Sequence, residues 1–129
     1  KFRIESERLA YLALIVPELV PKTPEEYARE WLGLGDYATA AHYFFVAREE
    51  ATNTEDARRL FMTGMGAWMA SSQFKQAMLA ADQHIGDLDN DLQTLRYLTR
   101  VALAAGDPAR AAYYARRLVF IRLPVRGTS

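Results

Sequence analysis

Cysteine is absent from the 129 residues, which removes disulfides, thiolate metal sites and cysteine nucleophiles at once. Its absence fits a periplasmic home and a cytosolic one equally. No sign of charge dominates either. Sixteen Lys and Arg balance sixteen Asp and Glu, so global electrostatics gives no reason to invoke nucleic acid or an anionic membrane. Long apolar runs are missing. The longest, Leu9 to Val16, falls far short of the roughly 20 residues a membrane helix needs, so direct membrane insertion of this segment is not expected. No positively charged leader followed by an apolar stretch opens the chain. It begins at Lys1 rather than methionine, as an internal piece of a longer protein would. Sustained two-residue alternation between turn signals is also lacking, so strands are not expected.

What is present is helical periodicity broken by turns. Half the residues are apolar and a quarter charged, a globular composition. Ile4, Leu9, Leu12, Ile15 and Val16 recur at helical spacing before Pro17 and Pro21 forbid continuation. Thr23-Pro24-Glu25-Glu26 is a start signal, with Thr23 as cap, Pro24 in the first helical position and Glu26 completing a capping box. Tyr27, Trp31 and Leu34 follow, and Gly33 or Gly35 closes that helix in the left-handed conformation. Tyr37, Ala40, Ala41, Phe44 and Ala47 line the next helix. Asn53 or Thr54 caps the one after it, along which Phe61, Met65 and Trp68 recur to about Ser71. Phe74, Ala77, Met78, Ala81 and Ile85 line its partner, and Gly86 to Asn90 read as a polar break. Leu92, Leu95, Leu98 and Ala102 make another stripe, closed by Gly106, and Ala111, Ala112, Ala115 and Leu118 the last. This is an all-α chain of antiparallel helical pairs.

One short pattern recurs. Gly35-Asp36-Tyr37 precedes Ala40, Gly106-Asp107-Pro108 precedes Ala111, and a worn copy, Ser72-Gln73-Phe74, precedes Ala77. The alanines are 37 and 34 residues apart, and recurrence at such a period marks a repeat architecture. Trp31, Gly35, Asp36, Tyr37, Ala40, Phe44 and Ala47 resemble, in order, the tetratricopeptide repeat, a helix–turn–helix unit. The middle unit keeps Trp68, Phe74 and Ala77 but has Ser72 for the turn glycine, Ala81 for the aromatic and His84 for the later small residue. The third keeps Gly106, Asp107 and Ala111, with Pro108 for the aromatic and Leu118 for the small residue. The resemblance covers roughly residues 21–122. It implies a right-handed α-solenoid: a leading helix over 1–20, repeats over 21–54, 55–91 and 92–122, and a tail or truncated next unit over 123–129. The apolar end at Val119, Phe120, Ile121 and Leu123 fits an excised array, because terminal caps are polar outside.

Candidate chemistry is thin. Asp87, Asp89 and Asp91 alternate like the first ligands of a calcium loop, but Leu92 and Leu98 stand where glycine and glutamate belong, so they read as a solvated loop capping the next helix. His42 and His84 have no ligand partner at short spacing, and His84 is expected at a unit junction. Ser6, Ser71, Ser72 and Ser129 lack a nucleophile elbow. Gly64-Met65-Gly66 lacks the lysine of a phosphate loop. The aromatics Tyr27, Trp31, Phe44, Phe61, Trp68 and Phe74 read as core. No catalytic, cofactor or metal site is expected.

The functional expectation is therefore a surface. In the repeat family the inner groove is lined by first-helix residues, and the aligned positions here are Lys22, Glu25, Arg29, Arg59, Met62, Met69, Arg96 and Arg100. Five bases against one acid suit an acidic or carboxylate-bearing partner. The carboxylate clamp of cochaperone repeats is absent: Glu25, Arg29, Gly66, Gln93 and Tyr97 stand at its positions. The run from Ala104 to Tyr114 resembles periplasmic repeat scaffolds of Pel-type exopolysaccharide export. That resemblance implies a Gram-negative periplasm and a polysaccharide-modifying enzyme as partner, gathered at an outer-membrane exit pore. Self-association, or a cytosolic adaptor binding an acidic peptide, is the alternative.

Overall fold

The computed structural model describes residues 22–122, and every regular element among them is helical. The helices are α1 (Pro24–Gly33), α2 (Tyr37–Glu50), α3 (Thr54–Ala70), α4 (Phe74–His84), α5 (Leu92–Ala104) and α6 (Pro108–Arg122), with a 3₁₀ helix at Gly86–Asn90 between α4 and α5. The expected leading helix and tail, Leu123 included, lie outside the described residues. Among the described residues, no helix is long and apolar enough to cross a membrane.

Local sequence sets the starts of these helices. The Thr23 hydroxyl accepts from the Glu26 amide at 3.2 Å, and the Glu26 carboxylate accepts from the Thr23 amide at 2.8 Å. That is the expected capping box. Asn53 caps α3 by accepting from the Asp56 amide at 2.8 Å, and Asp36 caps α2 through the Thr39 amide at 3.1 Å.

The recurring turn has one geometry in all three copies. The amides of Gly35 and Asp36 donate to the carbonyls of Leu32 and Trp31; those of Ser72 and Gln73 donate to Met69 and Trp68; those of Gly106 and Asp107 donate to Leu103 and Ala102. Each pair is the double bond of a Schellman ending, which requires a left-handed residue. Gly35 (φ 82), Ser72 (φ 58) and Gly106 (φ 73) occupy that position, so Gly35, not Gly33, closes α1. Asp36 and Asp107 then cap the following helix, Asp107 through the Arg110 amide at 3.1 Å. Gln73, in the worn copy, makes no side-chain cap.

Three-residue links force the chain to reverse, so α1/α2, α3/α4 and α5/α6 are hairpins. Helix α2 also packs on α3, while α2 touches α4 and α3 touches α5. The first helix α3 thus lies beside the first helix α5, and the second helix α2 beside the second helix α4. Ala40, Ala77 and Ala111 are all buried, as close helix crossings require. Phe44, Phe61, Met65, Leu95 and Leu98 are fully buried, each contributing about 2 kcal/mol in area removed from water.

Three expectations need correction. Gly86 to Asn90 is not merely a polar break. It winds as a 3₁₀ helix that sends Leu88 fully into the core and touches α3, α5 and α6. Ile85 falls beyond the end of α4. The aromatic series divides: Phe44 and Phe61 are core, but Tyr27, Trp31 and Phe74 are between 36 and 40% exposed. Helical periodicity marks an apolar face, yet full burial needs neighbours on every side of it: Tyr27 is stacked on Tyr43 of α2 at 5.5 Å, and all three rings keep more than a third of their surface open.

Candidate partner-binding surface

The first helices α1, α3 and α5 carry the expected groove residues. Lys22 precedes α1, Arg29 lies on it, Arg59, Met62 and Met69 are on α3, and Arg96 and Arg100 are on α5. Both methionines are partly buried. At the α1 end of this face the bases are matched by acids. Lys22 pairs with Glu30. Arg29 Nη2 and Arg59 Nη1 both donate to Glu25 Oε2 at 2.7 Å, and Arg59 also lies 3.5 Å from Asp56. Hydrogen bonding from Arg59, and then from Arg29, holds the Glu25 carboxyl below its ordinary range.

Counting one acid against five bases therefore underestimates the acids, because Glu30 and Asp56 reach the same bases from flanking positions. Arg96 and Arg100 differ. Both are exposed, and neither has an ion-pair partner among the described residues. Four residues apart on one helix, they project from successive turns of the same face. Between them, the Tyr97 hydroxyl donates to the Met62 carbonyl at 3.1 Å and ties α5 to α3. Burial pushes the Tyr97 phenol up from its ordinary value. The positive character of the face is thus concentrated on α5, beside Met62.

Two further arginines, Arg58 and Arg48, tie successive hairpins together. Arg58 grips Asp91 with two bonds, Nε to Oδ2 at 2.7 Å and Nη2 to Oδ1 at 2.8 Å. Asp91 also caps α5 by accepting from the Thr94 amide at 3.0 Å. The Arg58 guanidinium, and then the Thr94 hydroxyl and amide, hold this carboxyl far below the usual carboxylate range. Arg48 is buried and reaches the end of α4. Sequence reading passed over both. Their signal is spacing: Glu25–Arg59, Arg58–Asp91, Met62–Tyr97 and Arg48–His84 are separated by 34, 33, 35 and 36 residues, close to the spacing of the recurring turns.

The remaining candidates take structural places. Asp91 is a helix cap, Asp87 accepts from Arg48 at 2.8 Å, and the Asp89 carbonyl accepts from Arg117 at 3.2 Å. His84 sits at the expected junction, its ring stacked on Phe45 with centroids 4.4 Å apart, while His42 is exposed. Among the described residues, no three His, Cys, Asp or Glu side chains gather as metal ligands. Gly64 lies within α3, where a Cβ would stand 2.9 Å from the Phe45 ring. It admits that ring, not a phosphate.

No protein-family model, curated protein or solved structure matches the chain.

Proposed function

We propose that the chain is a non-catalytic, right-handed solenoid of tetratricopeptide type that acts as a protein-binding scaffold. It takes an acidic or carboxylate-bearing partner on its first-helix face around Arg96 and Arg100. The observation that carries this reading is the contrast on that face: Lys22, Arg29 and Arg59 are neutralised by neighbouring carboxylates, whereas Arg96 and Arg100 have no ion-pair partner among the described residues. An exposed, unmatched pair of guanidinium groups beside partly buried methionines offers both charge and apolar contact to a partner. The threefold turn, with identical backbone bonding at Gly35, Ser72 and Gly106, supports the repeat reading.

In its most specific form the proposal follows the resemblance to the periplasmic repeat region of the Pel exopolysaccharide export protein PelB. The scaffold then gathers a periplasmic polysaccharide-modifying enzyme near an outer-membrane export pore of a Gram-negative bacterium. A cytosolic adaptor for an acidic peptide would use the same face. One observation favours self-assembly as a second reading: Val119 and Phe120 on α6 are 58 and 75% exposed, an apolar pair that a second copy could cover. The test is capture from the native organism with the chain intact and with Arg96→Glu/Arg100→Glu, alongside light scattering across concentration. Selective loss of a captured protein, with no concentration dependence, supports the scaffold. Unaltered capture rejects the arginine face, and growth of the particle with concentration moves the reading to self-assembly.

A further inference from the structure

The second helices α2 and α4 enclose a cleft of about 240 Å³ on a surface separate from Arg96 and Arg100. Phe45, Trp68 and Leu79 give it apolar walls, and Leu79 is half exposed. Both histidines of the chain, His42 and His84, line it as well. The only carboxylate in the lining is Glu49, and no lysine or arginine is there.

This lining is held in place before any partner arrives. His84 stacks on Phe45 at 4.4 Å and 11° between planes. Phe45 in turn meets the Phe61 ring edge-on at 5.9 Å and the backbone of Gly64, where even a methyl group would collide with it. The Glu49 side chain is 58% exposed, with Oε1 3.2 Å from His84 Nδ1. Its second oxygen has no partner among the described residues.

An apolar-walled cleft with one anchored acid complements a cation carried on an apolar stem. A guanidinium fork needs both carboxylate oxygens for its bidentate geometry, whereas an ammonium is a point charge that one oxygen satisfies. A bidentate fork on Glu49 would share Oε1 with His84, whereas an ammonium on the second oxygen leaves that contact as it is, which makes the ammonium the simpler occupant. We propose that the α2–α4 cleft is a second docking site that takes a lysine side chain of a partner polypeptide, its methylenes against Leu79 and Trp68 and its ammonium on Glu49. The scaffold then presents surfaces of opposite preference: a basic first-helix face for acidic segments and this cleft for a basic one. The cleft stands on its own lining and does not depend on the reading of the first-helix face.

The experiment is a nuclear magnetic resonance titration of the whole chain with the capped tripeptide acetyl-Gly-Lys-Gly-amide, set against the same peptide with norleucine or arginine at its centre. The lysine peptide gives saturable shifts at the Trp68 indole and the Leu79 methyls. The norleucine peptide, and the lysine peptide on Glu49→Gln, bind about fivefold more weakly, the scale of an exposed ion pair. The arginine peptide binds no better than the lysine one. Leu79→Ser, a change at an exposed position, weakens lysine binding with Glu49 intact. Absence of saturation, equal binding of lysine and norleucine, or unchanged binding by Glu49→Gln overturns the proposal.

Discussion

Arg48 on α2 donates from Nε to the carbonyl of His84 at 2.9 Å and from Nη2 to that of Ile85 at 2.8 Å. It reaches from the second helix of one hairpin to the end of the second helix of the next. The last carbonyls of a helix have no partner within it, and here a buried guanidinium from the preceding hairpin supplies one. Gly86, in the left-handed conformation, brings the chain so close that a Cβ would lie 3.0 Å from Arg48 Nη2.

Replacing Arg48 by methionine keeps the stem and leaves the part-buried His84 carbonyl without this donor, whereas the Ile85 carbonyl still accepts from the Leu88 amide at 2.8 Å. We expect a loss of about 2 kcal/mol, read by chemical denaturation. Asp87→Asn removes only the exposed partner of the same guanidinium and leaves the midpoint nearly unchanged. Equal losses in the two variants would show that the ion pair, not the helix end, is what Arg48 supports.

Ser72 holds a left-handed conformation at the turn where the other two copies have glycine. A side chain there costs about 1–2 kcal/mol, part of which glycine returns through its larger unfolded-state entropy. Ser72→Gly should therefore stabilise by about 1 kcal/mol, raising the thermal midpoint by about 4 °C. An unchanged or lowered midpoint would contradict the strain.

The two glycines of α3 should respond in opposite ways. Gly66→Ala meets nothing nearer than the Tyr97 hydroxyl at 3.9 Å and gains the roughly 0.5–1 kcal/mol of alanine's helix preference. Gly64→Ala drives a methyl into the Phe45 ring, which is already stacked on His84, and should cost about 1–3 kcal/mol. Denaturation midpoints that move the same way would exclude a close approach at Gly64.

Asp91 gives the fold an acid-sensitive tie. Its carboxyl is depressed in the folded chain by Arg58 and by Thr94, so its contribution is present above the unfolded carboxyl's value of about 4 and is lost as pH falls through the folded value. Stability should decline below about pH 5, and more gently in Asp91→Asn, which keeps the cap but not the charge. Parallel declines would place the acid sensitivity elsewhere.

Much of this was legible in the chain because the relevant signals are local. Thr23, Asn53 and the Gly-Asp turns fix caps and endings through contacts three to five residues long, and the Ala40, Ala77 and Ala111 spacing revealed the recurrence. What stayed hidden is carried between hairpins. Leu88 sits among aspartates and looks solvated, yet tertiary packing buries it. Trp31 lies on an apolar stripe, yet it keeps 36% of its surface exposed. At the candidate surface, the positions of Arg29, Arg59, Arg96 and Arg100 were readable. Their different fates were not, since a side chain's ion-pair partner depends on a neighbour on another hairpin, as Glu25 is for Arg59.

In the proposed function, Arg96 and Arg100 bind the partner and the paired bases of α1 do not. The direct measurement is calorimetric titration of the captured partner with three purified chains: unaltered, Arg96→Glu/Arg100→Glu, and Arg29→Glu, each first shown by circular dichroism to be folded. The double reversal should lose at least about tenfold in affinity, about 1.4 kcal/mol, and Arg29→Glu less than about twofold. Equal effects, or unaltered affinity in the double variant, would contradict it.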